Sequence, residues 1–206
     1  MLKIVALISG GGSILEALLK ACDDPNYPAE IVAVGSDTDA PGLDYAVARN
    51  IPTFIVRPEG FSSRKLWGKE LLRVIRSHNV GVAKDKSLIL SAGLMRILPK
   101  EFVDETSPNL INTHPALLPN FPGAHAVADA VAAGVKETGV TVHIIDAGID
   151  TGPILKQATV AILDGENEHE LHERIKQVER PLLVEVVRAI ATGEISLESA
   201  TNTKGE

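Results

Sequence analysis

The chain has 206 residues, a length that suits one ordinary domain. Its 45% apolar and 23% charged residues exclude wholesale disorder, collagen and a multi-span membrane protein. Against 20 basic side chains stand 27 acidic ones, a formal charge of −7, so non-specific attraction to nucleic acid or to an anionic membrane is disfavoured and any anionic ligand must be held locally.

The apolar run Leu2–Ile8 breaks at Ser9 and Gly10, too early for a signal peptide, and reads as a strand. A turn at Gly10–Ser13 follows, then a helix over Ile14–Ala21 whose Leu15, Leu18 and Leu19 form a buried stripe. The alternation continues with a strand at Ile31–Val34, a helix near Leu43–Arg49, a strand at Thr53–Val56 and a helix over Ser63–Ser77. In that helix Trp67, Leu71, Leu72 and Ile75 share a face that packs on a sheet. Leu88–Ala92 and Leu110–Asn112 are short apolar strands of the kind covered on both faces. Repeated crossovers predict an α/β fold, a doubly wound and mostly parallel sheet.

After residue 139 the rhythm changes. Val140, Val142 and Ile144 alternate with Thr141 and His143, and Ile154–Ile162 follows the Asp146–Gly152 turn, which predicts a half-exposed extension of the sheet. A last long helix opens at Asn167 with Glu170 completing a capping box and ends near Gly193, with a kink or break expected at Pro181. The organisation expected is one domain over residues 1–195 and a frayed polar tail over 196–206. No apolar run approaches the roughly 18 residues of a membrane span. The single cysteine, Cys22, can form neither an internal disulfide nor a multi-cysteine metal site and favours a reducing compartment, the cytoplasm.

Three places can carry chemistry. Gly10-Gly11-Gly12-Ser13 joins the first strand to the first helix, where bare backbone N–H groups and the helix's positive end can hold a phosphate. The motif is no dinucleotide fingerprint and no P-loop, and a plain tight turn would use the same residues. Asn112 and His114 stand two apart at the end of a buried strand, so they share a face and point into the crevice where open α/β sheets bind ligands. Pro115, Pro119 and Pro122 stiffen the loop beyond them. Asp150 lies in the glycine-rich turn Asp146–Pro153. Such an aspartate commonly serves only its own turn, but beside His114 it would stabilise an imidazolium by up to ~4 kcal/mol.

Gly10-x-Gly12-Ser13, Ser91-Ala-Gly-Leu-Met-Arg-Ile-Leu98, Asn112-Thr-His-Pro-Ala-Leu-Leu-Pro119 and Asp146-x-Gly-x-Asp-x-Gly-Pro153 occur in that order. Together they resemble the folate-dependent phosphoribosylglycinamide formyltransferase family over roughly residues 2–195. The resemblance implies a Rossmann-like formyltransferase fold and transfer of a formyl group from the cosubstrate 10-formyltetrahydrofolate to the amine of glycinamide ribonucleotide. It implies that Asn112 and His114 flank the formyl group and that Asp150 tunes His114. Met95, Arg96, Ile97 and Leu98 would bind the pterin through their backbone, with Arg64 near the folate tail. Gly12, Ser13 and Ile14 would take the ribonucleotide phosphate, with Glu179 near the same substrate. For Arg64 and Glu179 the competing reading is a solvated helix face.

Two departures stand out. Ile14 occupies a position where the family usually has Asn, which removes one side-chain donor to the phosphate, and Gly81–Ser87 does not match the expected approach to the next strand and reads as a surface turn. His114, His125, His143 and Asp150 lack compact metal-ligand spacing, and the implied reaction needs no metal. The implied partners are the two small molecules, with no nucleic acid and no membrane, for a monomer or homodimer. The alternatives are a formyltetrahydrofolate deformylase, the catalytic domain of a methionyl-tRNA formyltransferase, and an inert nucleotide-binding domain.

Overall fold

A computed structural model describes residues 1–81 and 86–202. Seven strands form one sheet in the order β3-β2-β1-β4-β5-β6-β7. Strands β1 (Leu2–Ile8), β2 (Ala29–Ser36), β3 (Thr53–Ile55), β4 (Ser87–Ser91) and β5 (Leu110–His114) pair in parallel. β6 (Glu137–Ile144) joins β5 antiparallel, and β7 (Ile154–Ala161) closes the edge antiparallel to β6. The chain leaves β1 toward β2 on one side and returns to β4 on the other, so the topological switch lies between β1 and β4, where such sheets bind ligands.

The helices cover both faces. On one lie α1 (Ser13–Cys22) and α6 (Glu168–Thr192), whose Leu15, Leu18, Ile175 and Leu183 pack against Ile4, Ala6, Ile111 and Val142. On the other lie α3 (Arg64–Ser77) and α4 (Lys100–Thr106), whose Trp67, Leu71, Ile75 and Phe102 meet Val5, Leu7, Ile89 and Leu110. The alternating residues of each central strand therefore serve opposite cores, as expected of strands buried on both faces. Ser63 caps α3 through the Leu66 N–H, and Trp67 Nε1–H donates to the Val56 carbonyl at 2.8 Å, so the one large polar ring in that core is satisfied.

Several expectations are corrected. The predicted helix near Leu43–Arg49 is only a 3₁₀ turn, Pro41–Leu43, followed by the single turn α2 (Asp44–Val47). α4 and α5 (Ala126–Ala132) are elements that periodicity did not isolate, each just seven residues long. β6 is not half-exposed. All but its first residue are buried: α6 packs on the Val140, Val142 and Ile144 face, β7 pairs along the outer edge, and on the other face Thr141 meets the Ala116–Leu118 segment and His143 meets Asp150, so both are interior polar groups. Pro181 does not break α6, which runs through it. Pro181 and Gln177 are both exposed, so the carbonyl that loses its partner four residues back faces water.

The capping box of Asn167 and Glu170 and the left-handed Gly193 end α6 as predicted. Leu197–Asn202, expected to be frayed, forms helix α7, and Leu197 is buried against the main core. The expected turn at Gly81–Ser87 falls mostly on residues 82–85, outside the described residues, as do residues 203–206. Among the described residues no helix is long and apolar enough to cross a membrane.

Candidate active site

The site begins with the period of β5. Leu110 packs into the core beneath α3 and α4, so Asn112 and His114, two and four residues on, emerge on that face at the carboxyl end of the strand. β6 pairs with β5 in a register that sets His143 opposite Asn112 and Thr141 opposite His114. Four polar side chains thus line one face of two adjacent strands. Thr141 fixes the chain beyond His114: its hydroxyl donates to the Ala116 carbonyl at 2.7 Å and accepts from the Leu118 N–H at 3.0 Å. Gln157 on β7 adds a bond to the Leu118 carbonyl at 2.8 Å and another to the Thr141 hydroxyl at 2.9 Å.

Asp150 comes from the turn between β6 and β7 and adopts a left-handed backbone, φ 52°. Its Oδ2 stands 3.4 Å from His114 Nδ1 and its Oδ1 3.5 Å from His143 Nε2. The Gly123 N–H also donates to Oδ2 at 2.8 Å. Hydrogen bonding by His143, the Gly123 amide and the nearby His114 hold the carboxyl down at about 2, against the opposing effect of burial. The role of local turn-former belongs to Asp146, which accepts from the Gly148 N–H at 3.0 Å and the Thr151 hydroxyl at 2.6 Å. The two aspartates of one turn divide the work: Asp146 shapes it and Asp150 faces the histidines.

His114 is buried, and its Nε2–H donates to the Phe121 carbonyl at 2.8 Å. His143 is the residue that sequence reasoning missed. It is 2% exposed, its Nδ1–H donates to the Ile144 carbonyl at 3.0 Å, and its Nε2 lies 3.4 Å from Asn112 Nδ2. The signal available was a histidine at an alternating position of a strand, which metal spacing alone could not interpret. Among the described residues no group of three or more His, Cys, Asp or Glu has the arrangement to hold a metal ion.

The other predicted residues fall into two neighbourhoods. A cleft of ≈350 Å³ brings Arg64 together with Met95, Arg96 and Ile97, walled by Phe61 and Trp67. Leu98 is buried in the core instead of lining this cleft. The Met95 N–H donates to the Ser9 hydroxyl at 2.8 Å, and Ser9 N–H to the Gly93 carbonyl at 3.0 Å, so the turns after β1 and β4 are tied across the switch point. Arg96 is held by buried Asp37 at 2.6 Å and by Glu59 at 3.3 Å. Asp150 also borders a cavity of ≈430 Å³ whose walls include Leu118, Pro119, Pro122, Ile149 and Pro153.

On the α1 side Gly12 is the N-cap, with φ 69°, and a Cβ there would stand 2.9 Å from Gly42 Cα, so both conformation and space require glycine. Among the described residues no side chain caps α1, whose first N–H groups, from Ser13 onward, point out of the helix. Ile14 is partly buried against the core. Glu179 is not on a solvated face: it is 4% exposed and accepts from the Thr113 hydroxyl at 2.6 Å, on the side of β5 opposite Asn112 and His114. Burial raises its carboxyl pKa above the ordinary range, against the Thr113 bond. Exposed His125 occupies the N-cap position of α5, and burial pushes the Cys22 thiol up to about 11, which leaves it a packing residue.

A mostly parallel sheet, with an amide, a histidine and an ionised aspartate gathered at the carboxyl end of β5, places the chain in the Rossmann-like α/β class of enzymes. The chain belongs to the formyl transferase family, whose pattern matches residues 2–187. It is 46% identical over 203 residues to a phosphoribosylglycinamide formyltransferase of Mycobacterium tuberculosis (strain CDC 1551 / Oshkosh), covering 98% of this chain and 91% of that one. It is 37% identical over 196 residues to the trifunctional purine biosynthetic protein adenosine-3 of Drosophila pseudoobscura pseudoobscura, covering 94% of this chain and 14% of that longer protein. Among solved structures, glycinamide ribonucleotide transformylase 1 from Symbiobacterium toebii superposes with a TM-score of 0.88 at 34% identity, over 94% of this chain and 89% of that one.

Proposed function

We propose that the chain transfers a formyl group from 10-formyltetrahydrofolate to the primary amine of glycinamide ribonucleotide, a step of purine biosynthesis. The observation that carries the reading is the convergence of Asn112, His114 and Asp150 at the end of β5, with Asp150 Oδ2 3.4 Å from His114 Nδ1. The names of the relatives at 46% and 37% identity support the acceptor and the pathway. For the donor, a cleft walled by Phe61 and Trp67 and carrying Arg64 suits an aromatic ring followed by carboxylates. The uncapped start of α1 suits the ribonucleotide phosphate.

The amine attacks the formyl carbon, a C–N bond forms, and negative charge develops on the formyl oxygen. The Asn112 amide N–H and the Nε2–H of buried His114 stabilise that charge. Nδ1 of His114 faces Asp150, so Nε2 is the nitrogen free to turn to the substrate, and the Phe121 carbonyl must first give way. The bond from the formyl carbon to the folate nitrogen then breaks. The proton lost by the amine reaches that nitrogen through His114 or a bound water. No step needs a metal ion. The same reading takes residues 1–195 as one domain, working in the cytoplasm as a monomer or homodimer.

Purified protein supplied with 10-formyltetrahydrofolate tests this. Tetrahydrofolate should form only when glycinamide ribonucleotide is added. Equal release without the amine would mean a hydrolase, and stoichiometric binding without release would mean an inert binding domain.

A further inference from the structure

Asn112 can stabilise an oxyanion only if its amide presents N–H, and an unanchored amide turns its oxygen toward the same space as readily. The anchor is His143. The two residues are register partners across β5 and β6, and His143 Nε2 is 3.4 Å from Asn112 Nδ2. The imidazole itself cannot drift: it is buried, and its Nδ1–H is held by the Ile144 carbonyl at 3.0 Å. That bond fixes a proton on Nδ1, so in the neutral ring Nε2 accepts from Asn112, and only the doubly protonated ring donates Nε2–H to Asp150.

We propose that His143 is a positioning residue, which takes one N–H of the Asn112 amide so that the other is presented to the formyl oxygen. Asp150 Oδ1, 3.5 Å from the same Nε2, is the competing partner. When Nε2 carries a proton it serves the carboxylate and releases the amide, so His143 links the oxyanion donor to the residue that faces His114. The inference rests on the reading of Asn112 as that donor.

Two substitutions separate positioning from packing. His143→Leu keeps bulk but no polar atom, whereas His143→Gln restores an acceptor for Asn112 and a donor for Asp150. In His143→Leu, kcat should fall about 30-fold, a fraction of the loss expected from removing the donor itself, with KM for both substrates within about twofold. His143→Gln should recover about tenfold of that loss. Added to Asn112→Ala, His143→Leu should cost less than about threefold more, because the group it positions is gone.

The inference is overturned if folded His143→Leu keeps its kcat, if its loss appears in KM alone, if Gln gives no recovery, or if the losses multiply in the double variant. Should His143→Leu not fold, His143→Phe, which keeps a ring but no polar atom, takes its place in the same cycle with Asn112→Ala, and multiplying losses again overturn it. If Asn112→Ala alone leaves kcat unchanged, the assignment of the donor fails, and that result is distinct from an intact Asn112 effect with a silent His143.

Discussion

The Asp150 carboxylate reaches two histidines from different strands, with Oδ2 3.4 Å from His114 Nδ1 and Oδ1 3.5 Å from His143 Nε2. One anion therefore sits behind both His114 and the histidine beside Asn112. A left-handed backbone at Asp150 places it there, φ 52°, and such a conformation costs a non-glycine residue of order 1 kcal/mol. The surrounding bonds, including the Gly123 N–H at 2.8 Å, offset that cost.

Asn112→Ala is expected to leave the fold intact, since the side chain faces the site and not the core beneath it. Its kcat should fall by about 10²–10³, the loss that follows removal of one oxyanion donor. Steady-state kinetics on protein checked by circular dichroism measure this, and a near-unchanged kcat would remove Asn112 from the mechanism.

Asp150→Asn should lower activity near neutral pH by withdrawing the negative charge from His114 and His143. It should also change acid stability, with a definite sign. The folded carboxyl lies at about 2 against an ordinary value of 3.8, so Asp150 contributes its full stabilisation above the ordinary value and loses it as pH falls toward 2. Between pH 4 and 2 the wild type should lose stability more steeply than Asp150→Asn, by urea unfolding at each pH. Parallel curves would mean that the carboxylate gains nothing from its neighbours.

Ile14→Asn restores the side-chain donor that the family usually has near the phosphate turn. Glycinamide ribonucleotide should bind more tightly by up to about tenfold, because a hydrogen bond to a charged group exceeds a neutral one and part of the gain is lost to ordering. Ile14 packs partly against the core, so the variant should also unfold at lower temperature. Calorimetry with each ligand separately checks the split: an equal shift for folate, or weaker ribonucleotide binding by a folded variant, would move the phosphate elsewhere.

Thr113→Val removes the donor to Glu179 while keeping shape, and so strands a buried carboxyl oxygen bonded at 2.6 Å in the wild type. The expected cost is about 1–3 kcal/mol by urea denaturation. A neutral result would mean that Glu179 finds another donor.

The alternation of apolar runs with glycine turns and helical stripes made the parallel half of the sheet legible, because strands covered on both faces carry their burial in composition. Asn112 and His114 were readable as a pair for the same reason: a period of two puts both on one face. β6 was not legible, since Thr141 and His143 look like solvent positions until β7 and the Ala116–Leu118 chain are known to close over them. Glu179 was likewise hidden, as its burial depends on Thr113 from a strand far away in sequence. Pro181 leaves α6 unbroken because Gln177, whose carbonyl loses its partner to the proline, is exposed and can turn that carbonyl to water. The meeting of Arg64 with Met95–Ile97 in one cleft required the topology that sets β4 beside β1.

The central claim is that one site passes the formyl carbon directly from folate to amine. NMR of a turnover started with 10-[¹³C]formyltetrahydrofolate and glycinamide ribonucleotide follows that carbon itself. The formamide carbon of the formylated ribonucleotide should grow in step with tetrahydrofolate, with no free formate signal. Label appearing as formate while the ribonucleotide stays unlabelled would contradict the account.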